Sequence, residues 1–318
     1  MSRYLKIKNS LNGELKFASE KKKYSFKKIE LENVQESIPS FINKKSDAIT
    51  EKVSKFYNKI KFPNYDEIEN YSTIYDKGMS NQFSRQLNTE LGWNIRLLEL
   101  GCGTGQLSLF LARGEREVHG VDISHGSLGL AEKFRYKHNL ENIYFLHMDV
   151  FNMPYKNNIF DVIISNGVLH HTKNAKEAFK CLVNKTKPGG YLFIGLYHKY
   201  GRFITKIKQH VARIIGEKIL IFDHHARKLE TKKKKESWIR DQFFNPHETS
   251  HEPLEVLSWF DENNVDFINL LPHFSEYNKP LLEKRDRNNI SWFNDFIKIF
   301  DPNQIVEGGF FIMIGKKL

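Results

Sequence analysis

The sequence predicts an α/β fold in which a largely parallel sheet has helices on both faces. Between residues 95 and 198, short apolar runs typical of strands alternate with segments of helical character, and this alternation favours a parallel sheet. Acidic residues lie at or near the ends of the first three runs, namely Glu99, Asp122 and Asp149. Because ligands of such sheets bind at the carboxyl ends of the strands, we expect a binding site there.

The first run, Leu97–Leu100, continues into a turn with glycines at positions 101, 103 and 105. Glycine has no Cβ, so its backbone can approach a ligand closely. The third glycine follows the second by two residues, which differs from the dinucleotide pattern G-x-G-x-x-G. An ordinary tight turn between a strand and a helix, without a ligand, is the alternative interpretation.

The other strands are predicted in order along the chain. The second ends in Asp122, and a carboxylate at that place suits ribose hydroxyls. The fifth begins with a Pro-Gly-Gly turn. Strands two to seven are predicted at Glu115–Ser124, Asn142–Val150, Phe160–Gly167, Pro188–Tyr197, Asp266–Leu271 and Gly309–Gly315.

Taken together, these segments resemble the class I S-adenosylmethionine (SAM) dependent methyltransferases, in the broad group that includes the ubiquinone- and menaquinone-biosynthesis methyltransferases. The matching segments, between Arg96 and Tyr197, are LLELGCGTGQ, the acid of VDIS, HMDV, FDVIISNGVLHHT and KPGGYLFIGLY. The remainder resembles an uncharacterised subgroup with FYxxxPFPNYD and PHExxH segments. The resemblance implies a Rossmann-like seven-stranded sheet whose last strand is antiparallel beside the fifth.

The resemblance also implies the cofactor, SAM, and its product, S-adenosylhomocysteine. Glu99 and the glycine turn are expected at the methionine end, Asp122 at the ribose hydroxyls and Asp149 at the adenine amine. The full set of expected cofactor-binding residues is Glu99, Gly101, Cys102, Gly103, Thr104, Gly105, Gln106, Asp122, Ile123, Met148, Asp149, Val150, Asn166 and Leu169.

The candidates for acid–base catalysis are two histidine pairs and one carboxylate. Histidine suits this work because its pKa lies near neutrality. Residues 247–251 match H-E-x-x-H literally, but prolines flank the segment at 246 and 253 and no third ligand is evident. We therefore predict no metal site, and structural hydrogen bonding is the alternative role. The candidates are His170, His171, His247, Glu248 and His251.

Two further units are predicted before the sheet. Residues 1–45 read as a small β-rich module, because Tyr4–Lys8 alternates and Asn12-Gly13 is a hairpin signal. Its ending, IPSF, resembles zinc-ribbon-like modules fused to some methyltransferases, but it has no cysteine, so we predict a degenerate module without zinc. Residues 46–95 read as a helical cap.

The cap and an insertion at about 199–265, within the methyltransferase domain of residues 96–318, are expected to form the substrate pocket. Aromatic side chains of the cap could pack beside a sulfonium, or they could be core residues. The insertion contains a basic amphipathic helix, which either lies on a membrane or covers the core. The expected cap and substrate residues are Tyr57, Phe62, Tyr65, Trp238 and Asp241.

Composition limits the possible classes of protein. No apolar run approaches the roughly 20 residues that span a bilayer, and the N-terminal segment has no apolar signal core. Two cysteines imply no disulfide framework, so we expect a cytoplasmic protein. The net charge of +11 indicates RNA or peripheral membrane contact, or a compositional bias towards lysine.

The predicted function is methyl transfer to a small, hydrophobic or amphipathic metabolite. An RNA methyltransferase is the first alternative, supported by the charge and the ribbon-like module. A SAM-binding partner protein without turnover is the second. The acceptor atom and the oligomeric state are not determined by the sequence.

Overall fold

The computed structural model describes residues 2–12, 37–42, 47–60, 70–216, 220, 231–271, 279–290 and 309–318. These residues form one seven-stranded sheet in the order β3-β2-β1-β4-β5-β7-β6. The strands are β1 (Arg96–Leu100), β2 (Glu117–Asp122), β3 (Ile143–His147), β4 (Phe160–Asn166), β5 (Thr186–Tyr197), β6 (Val265–Leu271) and β7 (Phe310–Lys317).

Strands β1 to β5 are parallel to one another. Strand β7 lies between β5 and β6 and is antiparallel to both. The predicted Rossmann-like methyltransferase sheet, with its last strand antiparallel beside the fifth, is confirmed. The central strands are buried along most of their length, as expected for a parallel sheet covered on both faces.

Nine α-helices occur in the described part of the chain. Side chains at their N-caps satisfy free backbone N–H groups in several cases, including Asp47, Asn70, Asn81 and Asn174. The helices are α1 (Ala48–Lys59), α2 (Tyr71–Ser80), α3 (Gln82–Glu90), α4 (Gln106–Leu111), α5 (His125–Lys137), α6 (Ala175–Lys185), α7 (Phe203–Ile215), α8 (Lys232–Phe244) and α9 (Pro253–Glu262).

The helices cover both faces of the sheet. Apolar side chains of α6 and α9 pack on one face, where Phe179 and Phe260 stack with ring centroids 5.3 Å apart. Helices α2 to α5 pack on the other face. No helix in the described ranges is both long enough and apolar enough to cross a bilayer.

The strand expected at Tyr4–Lys8 is wrong, because Ser2–Ser10 forms a 3-10 helix. Tyr4, Ile7 and Leu11 are buried in the core of the sheet, and the Tyr4 hydroxyl donates to the carbonyl of Phe145 at 3.0 Å. Residues that are three and four positions apart lie on one face of a helix. Their contact with the sheet therefore selects the helix over the alternating strand. The expected hairpin continues into residues outside the described ranges.

Residues 38–41 run along β3, which is one of the two edge strands of the sheet. The Phe41 N–H donates to the His147 carbonyl at 2.8 Å, and the His147 N–H donates to the Pro39 carbonyl at 2.9 Å.

Helices predicted between 46 and 95 and at Leu254–Phe260 are confirmed. The helix expected near Ile290–Phe300 falls almost wholly outside the described residues, and the unit boundaries at 45 and 95 stay predictions.

Candidate active site

A cavity of about 810 Å³ lies at the carboxyl edge of the sheet. The ends of β1, β2, β4 and β5 and the beginning of β7 contribute to its wall. Helices α1, α7 and α8 contribute side chains from the opposite side. The cavity therefore lies where the strand ends predicted a ligand site.

The glycine turn forms part of the cavity wall. Gly101, Gly103 and Gly105 all have positive φ, at 71°, 53° and 76°. A Cβ at position 101 would overlap the Val168 side chain, and one at position 105 would overlap the Phe145 ring. Only glycine satisfies both the backbone conformation and the close packing.

Glu99 lies at the base of this turn and is buried. Its carboxylate accepts a hydrogen bond from the Ser108 hydroxyl on α4. Burial raises the pKa of Glu99 to about 7, and the neighbouring Asp122 adds to the effect. The side chain thus reaches the cavity from β1 as a carboxyl group that changes charge near neutral pH.

Asp122 ends β2 and also lines the cavity. Its two oxygens accept from the N–H groups of Gly103, at 2.8 Å, and Ser124, at 2.7 Å. Burial raises the pKa of Asp122 to about 6. A carboxylate offers about four acceptor positions, so both oxygens keep a position for a diol.

Asp149 follows β3, and Asn166 ends β4. The Asp149 oxygens accept from the Phe151 N–H at 3.2 Å and from the Asn152 amide at 3.0 Å. The Asn166 side chain packs against Gly195 on β5, where any Cβ would overlap the Asn166 side-chain oxygen. Both side chains line the cavity, and so do the other expected cofactor residues Gln106, Cys102, Ile123, Met148 and Val150.

Three expected cofactor residues lie behind the wall. Thr104 and Leu169 are fully buried, and Gly105 is the N-cap residue of α4. None of the three lines the cavity. Cys102 lines it, but burial and two carboxylates raise the pKa of its thiol well above the usual value, so it is a poor nucleophile.

Helix α1 forms the part of the cavity wall that lies next to the end of β2. The Ser54 hydroxyl donates to the Ile123 carbonyl at 2.9 Å, directly after β2. The Tyr57 hydroxyl donates to the Asp241 carboxylate of α8 at 2.8 Å. Tyr57, Asp241 and Trp238 all line the cavity. The expected cap residues Phe62 and Tyr65 lie outside the described residues.

His171 lies in the cavity wall. Its Nδ1 is 2.7 Å from the His247 carbonyl, which assigns the proton to Nδ1 and leaves Nε2 as an acceptor. The Asn245 side-chain nitrogen lies 3.5 Å from Nε2. Burial lowers the pKa of His171, while Asp241 and the His247 carbonyl act in the opposite direction.

The other four acid–base candidates do not line the cavity. His170 is fully buried and packs on the Tyr197 ring with centroids 4.1 Å apart. His251 lies between the Thr249 hydroxyl, at 2.8 Å, and the Glu255 carboxylate, at 3.1 Å. His247 contributes its carbonyl to His171. The structure therefore brings one candidate base, His171, to the cavity.

The segment 246–251, PHETSH, is a connector that lies along the end of β5. The Thr249 N–H donates to the His170 carbonyl at 2.8 Å, and the His251 N–H donates to Tyr197 at 2.8 Å. Glu248 receives two hydrogen bonds from Arg202, at 2.9 and 2.7 Å. The segment that matches H-E-x-x-H therefore holds its neighbours in position through hydrogen bonds to His170, Tyr197 and Arg202.

Sequence reasoning missed Arg202 and Tyr197. Arg202 is fully buried and lines the cavity, with its guanidinium 3.7 Å from the centroid of the Tyr197 ring. Tyr197 ends β5, so the strand-end rule that selected Asp122 could have found it. Arg202 has no local signal, because Gln242 and Glu248, its partners, lie 40 and 46 positions away.

Comparison with known proteins identifies the family. The family model described as "Methyltransferase domain" matches residues 92–252, half of the chain. The chain belongs to the SAM-dependent methyltransferase family. The matched range includes β1 to β5, the glycine turn and the acidic residues of the cavity.

Individual relatives of this methyltransferase-family chain are distant. An uncharacterised protein of Synechococcus sp. is 28% identical over 193 residues, covering 56% of this chain and 45% of that protein. The demethylmenaquinone methyltransferase of Geobacillus kaustophilus is 28% identical over 138 residues, covering 39% and 58%. The chain thus spans about half the length of the curated relatives it matches.

Among solved structures, the magnesium protoporphyrin IX methyltransferase of Synechocystis, with bound S-adenosylhomocysteine, has the same fold. The TM-score is 0.50 at 13% identity, covering 85% of this chain and 100% of that one.

The residues of this methyltransferase-family chain fit SAM. The cavity volume lies within the roughly 300–1,000 Å³ that is usual for small-molecule sites. Asp122 offers paired acceptors for a ribose diol, and the glycine turn presents backbone to the cavity.

Proposed function

We propose that this protein transfers the methyl group of SAM to a small, hydrophobic or amphipathic metabolite. One observation carries the proposal: the acidic strand ends, an apolar region and His171 all line one cavity. The apolar region is formed by Ile74, Phe83, Leu107, Phe110, Phe310 and Ile312.

SAM, when bound, supplies an electrophilic methyl group on a sulfonium. The chain's own residues have to hold it, align the acceptor and exclude water. We assign the ribose hydroxyls to Asp122 and the adenine amine to Asp149, with Glu99 and the glycine turn at the methionine end. The aromatic face of Tyr57 favours a cation nearby.

The chemical step needs a base when the acceptor atom carries a proton. We assign this role to His171, because the Nδ1–H hydrogen bond places the lone pair on Nε2, where the Asn245 amide nitrogen lies 3.5 Å away. With SAM bound, Nε2 would take the proton of the acceptor atom, and SAM would supply the methyl group and leave as a neutral thioether. Burial keeps His171 neutral before the step, because it lowers the pKa.

The acceptor class is supported by the lining of the cavity. Three phenylalanine rings and three aliphatic side chains of this apolar region line the cavity, and such a surface favours apolar ligand groups. The named relative from Geobacillus is a demethylmenaquinone methyltransferase, so a small apolar acceptor agrees with that relationship.

Transfer from methyl-tritiated SAM in an extract of the source organism tests the proposal. The label is partitioned into solvent-soluble small molecules, lipid, RNA and protein, with the His171→Ala variant as the parallel sample. Label in the small-molecule or lipid fraction, lost in the variant, supports the proposal. RNase-sensitive label would replace it with RNA methylation, and retained SAM binding without label in any fraction would favour a non-catalytic partner protein.

A further inference from the structure

Helix α7 presents an apolar stripe to solvent. Phe203, Ile207 and Ile214 are 57%, 49% and 72% exposed. They are three of the six large apolar residues that are exposed in the described part of the chain. Their spacings of four and seven residues place them on one face of the helix.

The exposure of this stripe disfavours one of the two predicted alternatives, in which the apolar face of α7 covers the core. The buried contact of α7 involves Ala212, which packs with Ile239 and Phe243 of α8. The helix therefore attaches to α8 through a small residue, while Phe203, Ile207 and Ile214 stay exposed. Burial in the fold does not explain why these positions are apolar.

Cations border the stripe. Lys206 and Arg213 are exposed on the side of the helix next to Phe203 and Ile214, and the helix contains no acidic residue. Helix α8, which packs on α7, begins with four lysines, and the chain as a whole carries a net charge of +11. An apolar stripe flanked by cations is the pattern of a helix that lies in the interface of an anionic membrane.

We propose that α7 docks this protein on an anionic lipid surface. Phe203, Ile207 and Ile214 enter the boundary between headgroups and acyl chains, and Lys206 and Arg213 contact the lipid phosphates. The occupant is a lipid surface, because the charge of the flanking residues is complementary to it. The docking itself is independent of methyl transfer.

Docking has a consequence for the cavity, and this consequence rests on the proposed function. Thr205 and Lys208 of α7 line the cavity, so the docked helix lies between the cavity and the lipid. An amphipathic acceptor then reaches the site from the bilayer. The concentration of such an acceptor near the site exceeds its concentration in water.

Vesicle co-sedimentation of the full chain tests the docking without cofactor or acceptor. The vesicles contain phosphatidylcholine alone, or phosphatidylcholine mixed equally with phosphatidylglycerol. We expect binding to the anionic vesicles that weakens with salt, and a Kd that rises roughly tenfold in Ile214→Ser through the loss of buried apolar area. Leu318→Ser is the matched control, because Leu318 is also 72% exposed but lies outside the stripe.

The charge requirement is tested separately with Arg213→Glu, for which Lys180→Glu on α6 is the control. We expect weaker binding to anionic vesicles for the first variant and unchanged binding for the second. Equal binding of Ile214→Ser and the wild type, or no binding to either vesicle, would overturn the proposal.

Two other results would also overturn it and would assign the stripe differently. Wild-type dimers that dissociate in Ile214→Ser, together with no vesicle binding, indicate an interface between two copies of this chain. RNA binding that is lost in Arg213→Glu but kept in Ile214→Ser, again without vesicle binding, indicates an RNA surface. A failed methyl-transfer assay leaves the vesicle result unaffected, so the two proposals fail separately.

Discussion

His171 is set apart from the other candidate histidines by one backbone hydrogen bond. The His247 carbonyl accepts from Nδ1, so the tautomer is fixed with Nε2 as the basic nitrogen. His170, its neighbour in the chain, is fully buried with neither ring nitrogen hydrogen-bonded within the described residues. Burial lowers the pKa of His170 well below the usual value, which keeps this ring neutral.

Replacing His171 by alanine is expected to reduce kcat by about 10²- to 10⁴-fold, the usual contribution of a general base. SAM affinity is expected to stay within a few-fold, because the ribose and adenine sites are untouched. Isothermal titration and a single-turnover assay separate the two effects. His138→Ala, at the C-cap of α5, is the control, and His247→Ala is also expected to keep turnover because it retains its carbonyl. Undiminished turnover in His171→Ala would remove the histidine from the mechanism.

The raised pKa of Asp122 predicts how cofactor affinity depends on pH. Burial raises this pKa to about 6, and the ionised carboxylate is the form that accepts two ribose hydroxyls. Affinity for SAM is therefore expected to weaken as the pH falls through 6, with a limiting slope of about tenfold per pH unit. The measurement is the Kd of SAM over this range.

Glu99 complicates the profile, because burial raises its pKa to about 7 and it titrates in the same range. Glu99→Gln is therefore measured in parallel and is expected to keep the slope below pH 6. Asp122→Asn is expected to bind weakly at every pH and to lose that slope. A wild-type Kd that is constant from about pH 7 to pH 5 would contradict the assignment of Asp122 to the ribose.

At the scale of elements, the pair of Arg202 and Glu248 joins the beginning of α7 to the PHETSH segment. The Arg202 side chain is fully buried and that of Glu248 is 10% exposed. Arg202 also donates to the side-chain oxygen and the carbonyl of Gln242 on α8, at 2.7 and 2.8 Å. One guanidinium thus connects three segments beside the cavity.

Replacing Arg202 by methionine leaves Glu248 buried without its cation. Removing one partner of a buried pair usually costs about 3–5 kcal/mol, so a large fall in the free energy of unfolding is expected. Lys199→Met is the control, because its ion pair with Glu252 is more exposed and such pairs contribute about 0–1 kcal/mol. Urea denaturation measures both. Equal losses of unfolding free energy in the two variants would show that the Arg202–Glu248 pair contributes no more to stability than the exposed pair does.

At the scale of the whole molecule, the site is closed by segments from distant parts of the chain. Tyr57 on α1 and Asp241 on α8 are 184 positions apart and share a 2.8 Å hydrogen bond. The Asn245 amide donates to the same hydroxyl at 2.8 Å. Helix α1 therefore meets α8 and the residue that follows it closely in sequence, Asn245, at the cavity wall.

Tyr57→Phe keeps the ring and removes both hydrogen bonds of this closure. Each is worth about 0.5–1.5 kcal/mol, so SAM affinity is expected to fall roughly five- to 150-fold, mainly through faster dissociation. Stopped-flow measurement of Trp238 fluorescence can follow the release, since Trp238 lines the cavity. Tyr191→Phe, on β5 and outside the cavity lining, is expected to behave as wild type. Unchanged dissociation in Tyr57→Phe would mean that the hydroxyl does not hold the cap.

The sequence by itself determined the sheet and the cofactor edge of the cavity. Apolar runs, the glycine spacing and acids at strand ends are local patterns, and a parallel sheet brings equivalent strand ends to one edge. Asp122 and Asp149 could be placed at the cavity for this reason. The antiparallel last strand beside the fifth was implied by the family resemblance and is present in the fold.

Only the tertiary structure decided which side chains face the cavity. His170 and His171 are identical in type and adjacent in sequence, and the carbonyl that distinguishes them lies 76 positions away. Tyr4–Lys8 alternates like a strand, but packing against the sheet holds it as a 3-10 helix. Arg202 belongs to an amphipathic segment, and its partners come from α8 and the PHETSH segment. Periodicity reports the local conformation and the buried face, whereas hydrogen bonds between distant segments depend on how those segments pack.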